Sequence, residues 1–356
     1  SPLIRSGARV PLARTVLSVF LFTLLFGDFQ AFPSLPQVSA AAPTCDVTLN
    51  SGGDIQTAIT NASPGQVICL NPGTYTPGST ISVSKSITVT RTGCDPDVVT
   101  SRTPGDTATE AIVDGNNLSQ IFNIAANINN VTISCLEITD GTGDLVTSAD
   151  SGSARTGIVI KNNIVHDSSG DEGIQLKRTS GALVQYNHVY DVAGDGINLS
   201  GAGTTGGQIL DNKVHNSSSP DGVIYVYGAT NTTISGNLLY SNGNNDGIKM
   251  GDGSNFASAG GTISNNVVVT SAQDGINVYM SDTTISGNKI SGSSSDNGAI
   301  YISYNVNNVS VTNNLIKNNS AYGVRVGKSS LYPTNVTVNN NCIEGNTDGG
   351  LIFNYN

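Results

Sequence analysis

The sequence contains no tryptophan, only three histidines and few charged residues. The low histidine and charge content argues against particular classes of protein. Charged residues make up 12% of the chain, which is unlike a helical enzyme rich in Ala, Leu, Glu and Lys. Three histidines and the absence of a C-x-x-C pair fit no zinc-binding pattern. Gly, Asn, Ser and Thr fill much of the chain instead. We therefore predict a β-rich, turn-rich protein.

The first 42 residues have the features of a secretory signal. Arg5, Arg9 and Arg14 precede the apolar run TVLSVFLFTLLF, and small residues follow in VSAAA. A positive segment, an apolar run of about 7–15 residues and a small-residue cleavage site are typical of a signal peptide. A membrane anchor is the alternative, but the run is shorter than the roughly 20 residues that span a bilayer. We predict a secreted or cell-surface protein without a membrane span in its mature form.

The net charge limits which binding partners are expected, and the cysteine content bears on the cellular compartment. The formal net charge is −10 at pH 7, which argues against binding to nucleic acid or to an anionic membrane. Export permits disulfides. The spacing suggests one pair between Cys45 and Cys69 and a second between Cys94 and Cys135, with Cys342 left over.

One phrase, apolar-x-x-Asn-x-apolar, occurs eight times after residue 158. Its asparagines are Asn163, Asn187, Asn212, Asn237, Asn266, Asn288, Asn314 and Asn341. A constant phrase with a variable period of 22 to 29 residues indicates a repeat protein with insertions in one loop per repeat. Asparagines stacked at a repeated bend can bond one another and satisfy donors and acceptors that burial would leave unpaired. An ordinary turn role would not fix the spacing to the apolar neighbours, so we predict an asparagine ladder.

A second phrase lies between the asparagines and reads as a short alternating strand opened by a turn. Its copies are EGIQL, DGINL, DGVIYV, DGIKM, DGINV, NGAIYI, YGVRV and GGLIF. Two or three strands per repeat with no amphipathic helix between them must wind as a parallel β-solenoid. We predict an all-β fold of about ten coils.

The segment GGDIQTAITNASPG is the one good short amphipathic helix, with Ile55, Ala58 and Ile59 on one face. Such a helix can cover the open end of the first coil. It precedes QVICLNPGTY, a strand and a turn. Together these segments resemble the N-terminal cap of the pectin lyase-like, right-handed parallel β-helix superfamily, and NNVTISCLEITDG resembles that superfamily's repeat with Leu136 in the asparagine position.

The resemblance covers roughly residues 45–356 and implies a right-handed parallel β-helix. We predict a leader at 1–42 and a single domain at 43–356, in which residues 43–80 form the N-terminal cap and first coil. The superfamily includes lyases, hydrolases, epimerases, adhesins and phage spikes, so the resemblance implies a fold and leaves activity open.

Aligning the second-phrase strands with Ile or Leu inward, and shifting the strands of Tyr225 and Tyr301 by one residue, gives an outward column, which we call the Lys249 column. Its members are Gln175, Asn198, Tyr225, Lys249, Asn277, Tyr301 and Arg325. A second column two positions further holds Lys177, Ser200, Tyr227, Gly251, Tyr279, Ser303 and Gly327. Neighbouring coils lie about 4.8 Å apart. Lys249 is therefore expected between tyrosines of the preceding coil and Asn277 and Tyr279 of the next.

This surface has the chemistry to bind a polysaccharide, because aromatic rings stack on sugars, amides bond hydroxyls and a cation meets a carboxylate. The same residues suit β-elimination on a uronate. In that hypothesis Lys249 removes the C5 proton, Asn277 helps to neutralise the carboxylate, and Tyr279 or Tyr225 protonates the leaving oxygen. The alternative is an ordinary strand face, on which Lys, Tyr and Asn are common and an unpaired lysine is too basic to be an efficient base.

Acidic residues precede the glycine of several second-phrase strands. Asp195, Asp221, Asp246 and Asp274 do so, and Glu172 occupies an equivalent position. Stacked carboxylates can bind Ca²⁺, which the resemblance implies as a cofactor, with Asp221, Asp246 and Asp274 as ligands. The alternative is that each Asp bonds its own backbone in a turn.

Motifs of the superfamily's enzymes are mostly missing. NTDGG at residues 346–350 is similar to the N-T-D motif of polygalacturonases but lacks the motifs that should follow it, and we treat it as chance. The Y-G-x-D-P-H motif of mannuronan epimerases and the R-x-P-x-x-R motif of pectate lyases are absent. A rival site is a second outward column in which His166 and His215 alternate with Tyr190 and Tyr240, since a His-Tyr pair can act as base and acid.

Two functional interpretations stay open. The first is a secreted protein that interacts with extracellular polysaccharide, with lyase activity on an acidic glycan as its enzymatic form. The second is a non-catalytic adhesin or filament subunit, supported by the missing motifs and by the apolar strand-like segment GGLIFNYN, which offers self-association through the C-terminal coil.

Overall fold

The computed structural model describes residues 42–98, 102–240, 243, 245–252, 259–269, 271–303, 305–328 and 332–354. The predicted signal lies outside the described residues except for its last position. Within the described part of the chain, no helix has the length and apolar character needed to cross a membrane.

Three long parallel sheets wind around one apolar core, as the repeats predict. Each coil contributes one strand to each sheet in turn, and neighbouring strands in a sheet come from successive coils. The first sheet has 12 strands and the other two have 11 each. The expected number of about ten coils was therefore slightly low, because the coils before residue 158 lack the asparagine phrase by which coils were counted.

The first sheet carries the apolar residues that precede the asparagine bend. Valine and isoleucine side chains of this sheet point inward and stack in register, for example Ile133, Ile160 and Val184. Its strands are Val47–Leu49, Val67–Leu70, Thr88–Arg91, Val131–Ser134, Ile158–Lys161, Leu183–Gln185, Gln208–Leu210, Thr232–Ser235, Ala259–Ser264, Ser281–Ser286, Asn307–Thr312 and Thr334–Asn339.

The second sheet follows that bend, and Val165, Val189 and Val214 are examples of the apolar residues that its strands bury. Its strands are Gly73–Tyr75, Ala111–Leu118, Glu137–Gly141, Ile164–Ser168, His188–Val192, Lys213–Ser217, Leu238–Tyr240, Val267–Val269, Lys289–Ser291, Leu315–Lys317 and Cys342–Glu344.

The third sheet contains the strands opened by the glycine phrase. Its strands are Ile81–Val83, Phe122–Ile124, Val146–Ser148, Ile174–Lys177, Ile197–Ser200, Gly222–Tyr227, Asp246–Met250, Ile276–Val278, Ile300–Ile302, Tyr322–Val326 and Gly349–Phe353. Arg155–Thr156 and Thr179–Ser180 form a separate two-stranded parallel sheet.

The helix α1, Ile55–Asn61, lies against the first strand of the third sheet. Asp54 caps it by accepting a hydrogen bond from the backbone N–H of Thr57 at 2.9 Å. The predicted face of Ile55, Ala58 and Ile59 is buried. The Gln56 side chain accepts from the backbone N–H of Ser82 at 2.7 Å and donates to the Ser82 carbonyl at 3.3 Å. The helix thus supplies hydrogen-bond partners to backbone groups at the open edge of the third sheet. In the chain it comes directly after the first strand of the first sheet.

The eight asparagines form the predicted ladder. Asn237 shows its geometry: its amide Nδ2 donates to Asn266 Oδ1 at 2.9 Å and to the Ile209 carbonyl at 2.9 Å. Its own Oδ1 accepts from the backbone N–H and the amide of Asn212 at 2.9 and 3.0 Å. The pattern continues into the coil before the first phrase, where the Leu136 N–H donates to Asn163 Oδ1 at 3.0 Å.

The glycine of the second phrase is required by close packing. A Cβ at Gly196 would lie 2.2 Å from Val214 Cγ1 and 2.9 Å from the Val223 carbonyl oxygen. The same position in other coils, such as Gly247, meets a valine or isoleucine methyl of the second sheet at a similar distance. Nothing larger than hydrogen fits there.

We expect Gly196→Ala to lower the free energy of unfolding by about 1–3 kcal/mol, because both obstructing groups belong to the packed core. Gly78→Ala is the matched control, since a Cβ at Gly78 meets no atom within 4 Å. Denaturant unfolding of both variants checks the prediction, and equal stability would contradict it.

Both predicted disulfides are confirmed. Cys45 bonds Cys69 with a Cα–Cα distance of 5.6 Å, and Cys94 bonds Cys135 with a Cα–Cα distance of 6.3 Å. Cys342 is free and exposed.

Candidate functional site

The strand register places the Lys249 column as the sequence alignment predicts. Its seven residues pair from coil to coil along the third sheet in this order: Gln175, Asn198, Tyr225, Lys249, Asn277, Tyr301, Arg325. Lys249 therefore lies directly between Tyr225 and Asn277.

Tyrosines of the second column frame the same region. Lys177, Ser200 and Tyr227 pair in register at its start. The ring centroids of Tyr225 and Tyr227 are 5.9 Å apart, while Tyr279 and Tyr301 meet edge to face at 6.5 Å. Two aromatic pairs thus lie on either side of the lysine.

Most of the Lys249 column is covered, although the alignment placed it on an outward face exposed to solvent. Gln175, Asn198, Tyr225, Asn277 and Tyr301 are all buried. The amides are buried because each bonds an acidic residue at the start of a strand, as Asn198 bonds Asp195 at 2.7 Å. Roles in substrate contact for these buried side chains remain predictions.

Lys249 is the charged group at the centre of this surface. Its Nζ donates to Asp221 Oδ1 at 2.6 Å and lies 5.2 Å from the centroid of the Tyr225 ring. Burial lowers the pKa of Lys249, but the hydrogen bond and charge of Asp221, with Asp246 and Tyr279, outweigh burial and raise the pKa above its usual value. The lysine is therefore protonated and paired at neutral pH.

The tyrosines around Lys249 are protonated as well. Burial raises the pKa of Tyr225, Tyr279 and Tyr301 above that of an ordinary phenol. A neutral phenol can donate a hydrogen bond or a proton to a leaving oxygen. The site therefore combines a cation with hydroxyl donors at neutral pH.

The acidic column differs from its prediction at one position. Asp246 pairs with Gly222, so Gly222 occupies the place expected for Asp221. The strand Gly222–Tyr227 is displaced by one residue relative to its neighbours, which moves Asp221 out of the column and toward Lys249. The Asp221 side chain is 42% exposed.

The remaining members of this column are buried and hydrogen-bonded. Asp246 accepts from the backbone N–H of Asp274 and from the amide of Asn277, both at 2.9 Å. Burial, together with the charge of Asp274, raises the pKa of Asp246. Burial likewise raises the pKa of Asp195 to about 6, against hydrogen bonds from Ser219, Asn198 and Gly222. These bonds reach backbone N–H groups of the next coil and side-chain amides, whereas the alternative expected each Asp to bond the backbone of its own turn.

The structure does not gather the three predicted metal ligands, Asp221, Asp246 and Asp274. Among the described residues, three carboxylates whose ligand atoms all lie within 4.8 Å of one another occur at Asp144, Asp171 and Glu172. Burial and the two neighbouring carboxylates raise the pKa of Glu172. Residue spacing alone does not reveal this cluster, because Asp144 precedes a strand outside the repeated phrases.

The rival column on the second sheet is a continuous ring stack. His166, Tyr190, His215 and Tyr240 pair in register, with successive centroids 4.8, 5.2 and 4.4 Å apart and nearly parallel planes. Because the neighbouring rings cover both faces of Tyr190 and His215, a sugar cannot stack on these two rings.

The histidines of the second sheet, His188 included, differ in the direction in which their pKa values are shifted. The Nε2 atoms of His188 and His215 are 2.9 Å apart. Burial and the nearby Lys213 lower the pKa of His188 to about 3 and that of His215 to about 4, so both rings are neutral at pH 7. Burial lowers the pKa of His166, but hydrogen bonds to Glu137 and Asp167 outweigh it and raise the pKa.

A match to a family sequence model agrees with the observed fold and assigns the chain to a family. A sequence model for the family described as right handed beta helix region matches residues 105–256 and 217–356. The chain belongs to this family. The match covers more than half of the chain and confirms the fold that the N-terminal cap and repeat resemble.

Solved structures with the same fold have distant sequences. The Azotobacter vinelandii mannuronan C-5 epimerase AlgE4 A-module is 14% identical with a TM-score of 0.60, covering 86% of this chain and 96% of that one. The pectate lyase Pel9A is 16% identical with a TM-score of 0.56, covering 86% and 80%. DFA-IIIase from Arthrobacter chlorophenolicus in complex with DFA-III is 17% identical with a TM-score of 0.58, covering 85% and 84%. No curated protein matches the sequence.

Proposed function

We propose that this β-helix protein is exported and cleaves an acidic polysaccharide by β-elimination at Lys249. The observation that carries the proposal is the position of Lys249, a partly exposed cation set in register between Tyr225 and Asn277, with Tyr279 close by. Two structures with the same fold are named for pectate and mannuronan, which supports an acidic glycan as substrate. Two disulfides are compatible with export.

In the proposed reaction Lys249 acts as proton acceptor in its uncharged form. It removes the C5 proton of a uronate, the electron pair forms a C4–C5 double bond, and the C4–O4 bond breaks. The Tyr279 phenol gives its proton to the leaving oxygen, and solvent later restores both residues. Asn277, whose amide is held by Asp246, orients the site. Arg325 and Lys177 lie further along the sheet and favour a polyanionic chain.

The test is incubation of the purified protein with polygalacturonate, mannuronan and a neutral glucan, each with and without Ca²⁺, followed by ultraviolet absorbance. Absorbance from unsaturated ends on an acidic polymer alone supports the proposal. No product on any polymer, together with assembly into fibres, would instead favour the non-catalytic interpretation. In that interpretation the contact site would be Leu351, which is 43% exposed in strand Gly349–Phe353.

The ion pair with Asp221 makes a prediction about pH. A base whose pKa is raised is mostly protonated at pH 7, so activity should increase as pH rises toward the pKa of Lys249. Asp221→Asn removes the carboxylate charge that raises this pKa, and burial then lowers it. We expect the rising limb of the pH–rate profile to move to lower pH.

Asp211→Asn is the matched control, because Asp211 lies at an exposed corner of the first sheet and bonds Gln185. Initial rates from neutral to alkaline pH measure the effect. An unchanged limb in Asp221→Asn would exclude Lys249 as the group that titrates.

A further inference from the structure

The second sheet brings two of the chain's three histidines together. His188 begins strand His188–Val192, and His215 lies in strand Lys213–Ser217 of the next coil. Their ring centroids are 5.2 Å apart, and the two Nε2 atoms converge to 2.9 Å. Both side chains are partly exposed. The pair therefore lies diagonally across two coils, within reach of a ligand from solvent.

Packing fixes the orientation of both rings. His215 lies between the rings of Tyr190 and Tyr240, at centroid distances of 5.2 and 4.4 Å and with interplanar angles of 9° and 10°. Its Nδ1 atom is buried, so Nε2 is the nitrogen that a ligand can reach. The His188 ring contacts Tyr190 at a centroid distance of 4.6 Å. Side chains held by packing on adjacent strands are preorganised for a ligand.

The two imidazoles have the chemical form that a metal ion requires. Both are neutral at pH 7, and a neutral imidazole keeps a lone pair on one of its two nitrogens. In the tautomer with the proton on Nδ1, each ring directs the lone pair of Nε2 toward the same point. Neutral imidazole nitrogens are the commonest metal ligands in proteins.

We propose that His188 and His215 bind one Cu²⁺ ion through their Nε2 atoms. Metal–nitrogen bonds of about 2.0–2.1 Å that span the observed 2.9 Å give an angle of about 90° at the metal. A tetrahedral zinc site would need the two nitrogens about 3.3 Å apart. A right angle belongs to the square-planar or tetragonal geometry of Cu²⁺ and Ni²⁺, and Cu²⁺ binds nitrogen ligands more tightly than Ni²⁺ or Zn²⁺.

Lys213 provides an internal test, because its charge acts against a bound cation. It pairs in register with His188, and its Nζ lies 5.8 Å from the centroid of the Tyr240 ring. The Lys213→Met variant keeps the apolar stem and removes the charge. Loss of this repulsion should tighten Cu²⁺ binding about 3–10-fold.

The experiment is calorimetric titration of Cu²⁺ at pH 7, with electron paramagnetic resonance of the same samples. The parent protein carries Cys342→Ser, because the exposed thiol of Cys342 is itself a copper ligand. We expect one saturable site and a Cu²⁺ signal coupled to two nitrogens, with weaker binding of Ni²⁺ and Zn²⁺. The inference is independent of the proposed function, since Lys249 lies on the third sheet and polymer cleavage is not measured.

Histidine variants locate the metal. His188→Gln and His215→Gln should each weaken Cu²⁺ binding by more than about 10-fold, since even changes to the outer-shell partners of a metal site cost that much. His166→Gln is the matched control. The ring nitrogens of His166 already bond Glu137 at 3.0 Å and Asp167 at 2.9 Å, so this variant should bind Cu²⁺ like the parent protein.

No saturable Cu²⁺ binding in the parent protein would overturn the proposal and would mean that the two rings only hydrogen-bond each other. Unchanged affinity in His188→Gln or His215→Gln would overturn it as well. Thermal unfolding without metal shows whether each variant folds. Should a glutamine variant fail to fold, Lys213→Met decides, because an affinity that does not rise in that variant would place the copper elsewhere.

Discussion

Replacing Asn237 with alanine should destabilise the surrounding coils by roughly 3 kcal/mol or more, because each buried polar group left without a partner costs about 1–3 kcal/mol. The Asn237 side chain serves several partners at once. Its loss removes the acceptor of the Asn212 N–H and amide and the donors of the Ile209 carbonyl and Asn266 Oδ1. Asn237 is 1% exposed, so water cannot replace these bonds.

The end of the ladder provides the control. Asn341 accepts from Asn314 in the same way but is only partly buried, so water can substitute and Asn341→Ala should cost far less. Because the coils of a solenoid can unfold separately, hydrogen exchange in the strands next to each site is the better measurement, with denaturant unfolding beside it. Equal loss of protection in both variants would show that the ladder's energy does not depend on burial.

The ladder also shows why so much of the fold was predictable. A buried amide must find a donor and an acceptor, and a repeated bend supplies both one coil away, so a fixed spacing between Asn and its apolar neighbours leaves few alternatives. The same reasoning placed Leu136 in the asparagine position and put Tyr225, Lys249 and Asn277 side by side.

Other features depend on distances that repeat spacing does not encode. The one-residue shift of strand Gly222–Tyr227 was predicted from its tyrosine, but the resulting loss of Asp221 from the acidic column was not. A second polar ladder at the bend after the second sheet, where Asn319 bonds Asn346 at 2.7 Å and Ser271 bonds Ser293 at 3.1 Å, was not predicted. Its residues are a mixture of Ser and Asn, so no single residue type recurs at this position.

The candidate site was predicted less completely than the fold. Register follows from side-chain alternation, which is local, and it located Lys249. Burial and pKa depend on which polar groups of neighbouring coils turn toward a residue. The Lys249–Asp221 ion pair joins residues that are not in register, and the Asp144 cluster joins two loops of unequal length.

Replacing Lys249 with alanine should abolish polymer cleavage, with a fall in kcat of roughly 10²–10⁴-fold, which is the usual contribution of a positioned base. The fold should survive, because the side chain is 15% exposed and lies outside the core. Lys317→Ala is the matched control, since Lys317 is a lysine of the second sheet paired with Glu344. Its kinetics should be unchanged.

The Lys249→Ala variant alone does not show whether Lys249 acts as a base or only binds the substrate as a cation. The Lys249→Arg variant distinguishes these two roles. Arginine keeps the positive charge and can still pair with Asp221, but it does not lose its proton in proteins. If Lys249 accepts the C5 proton, the arginine variant should bind polymer with a nearly unchanged KM and lack turnover. If the lysine only attracts the uronate carboxylate, arginine should retain most of kcat while alanine raises KM. Substantial turnover by the arginine variant would therefore exclude Lys249 as the base and leave it as an anchor for the polymer.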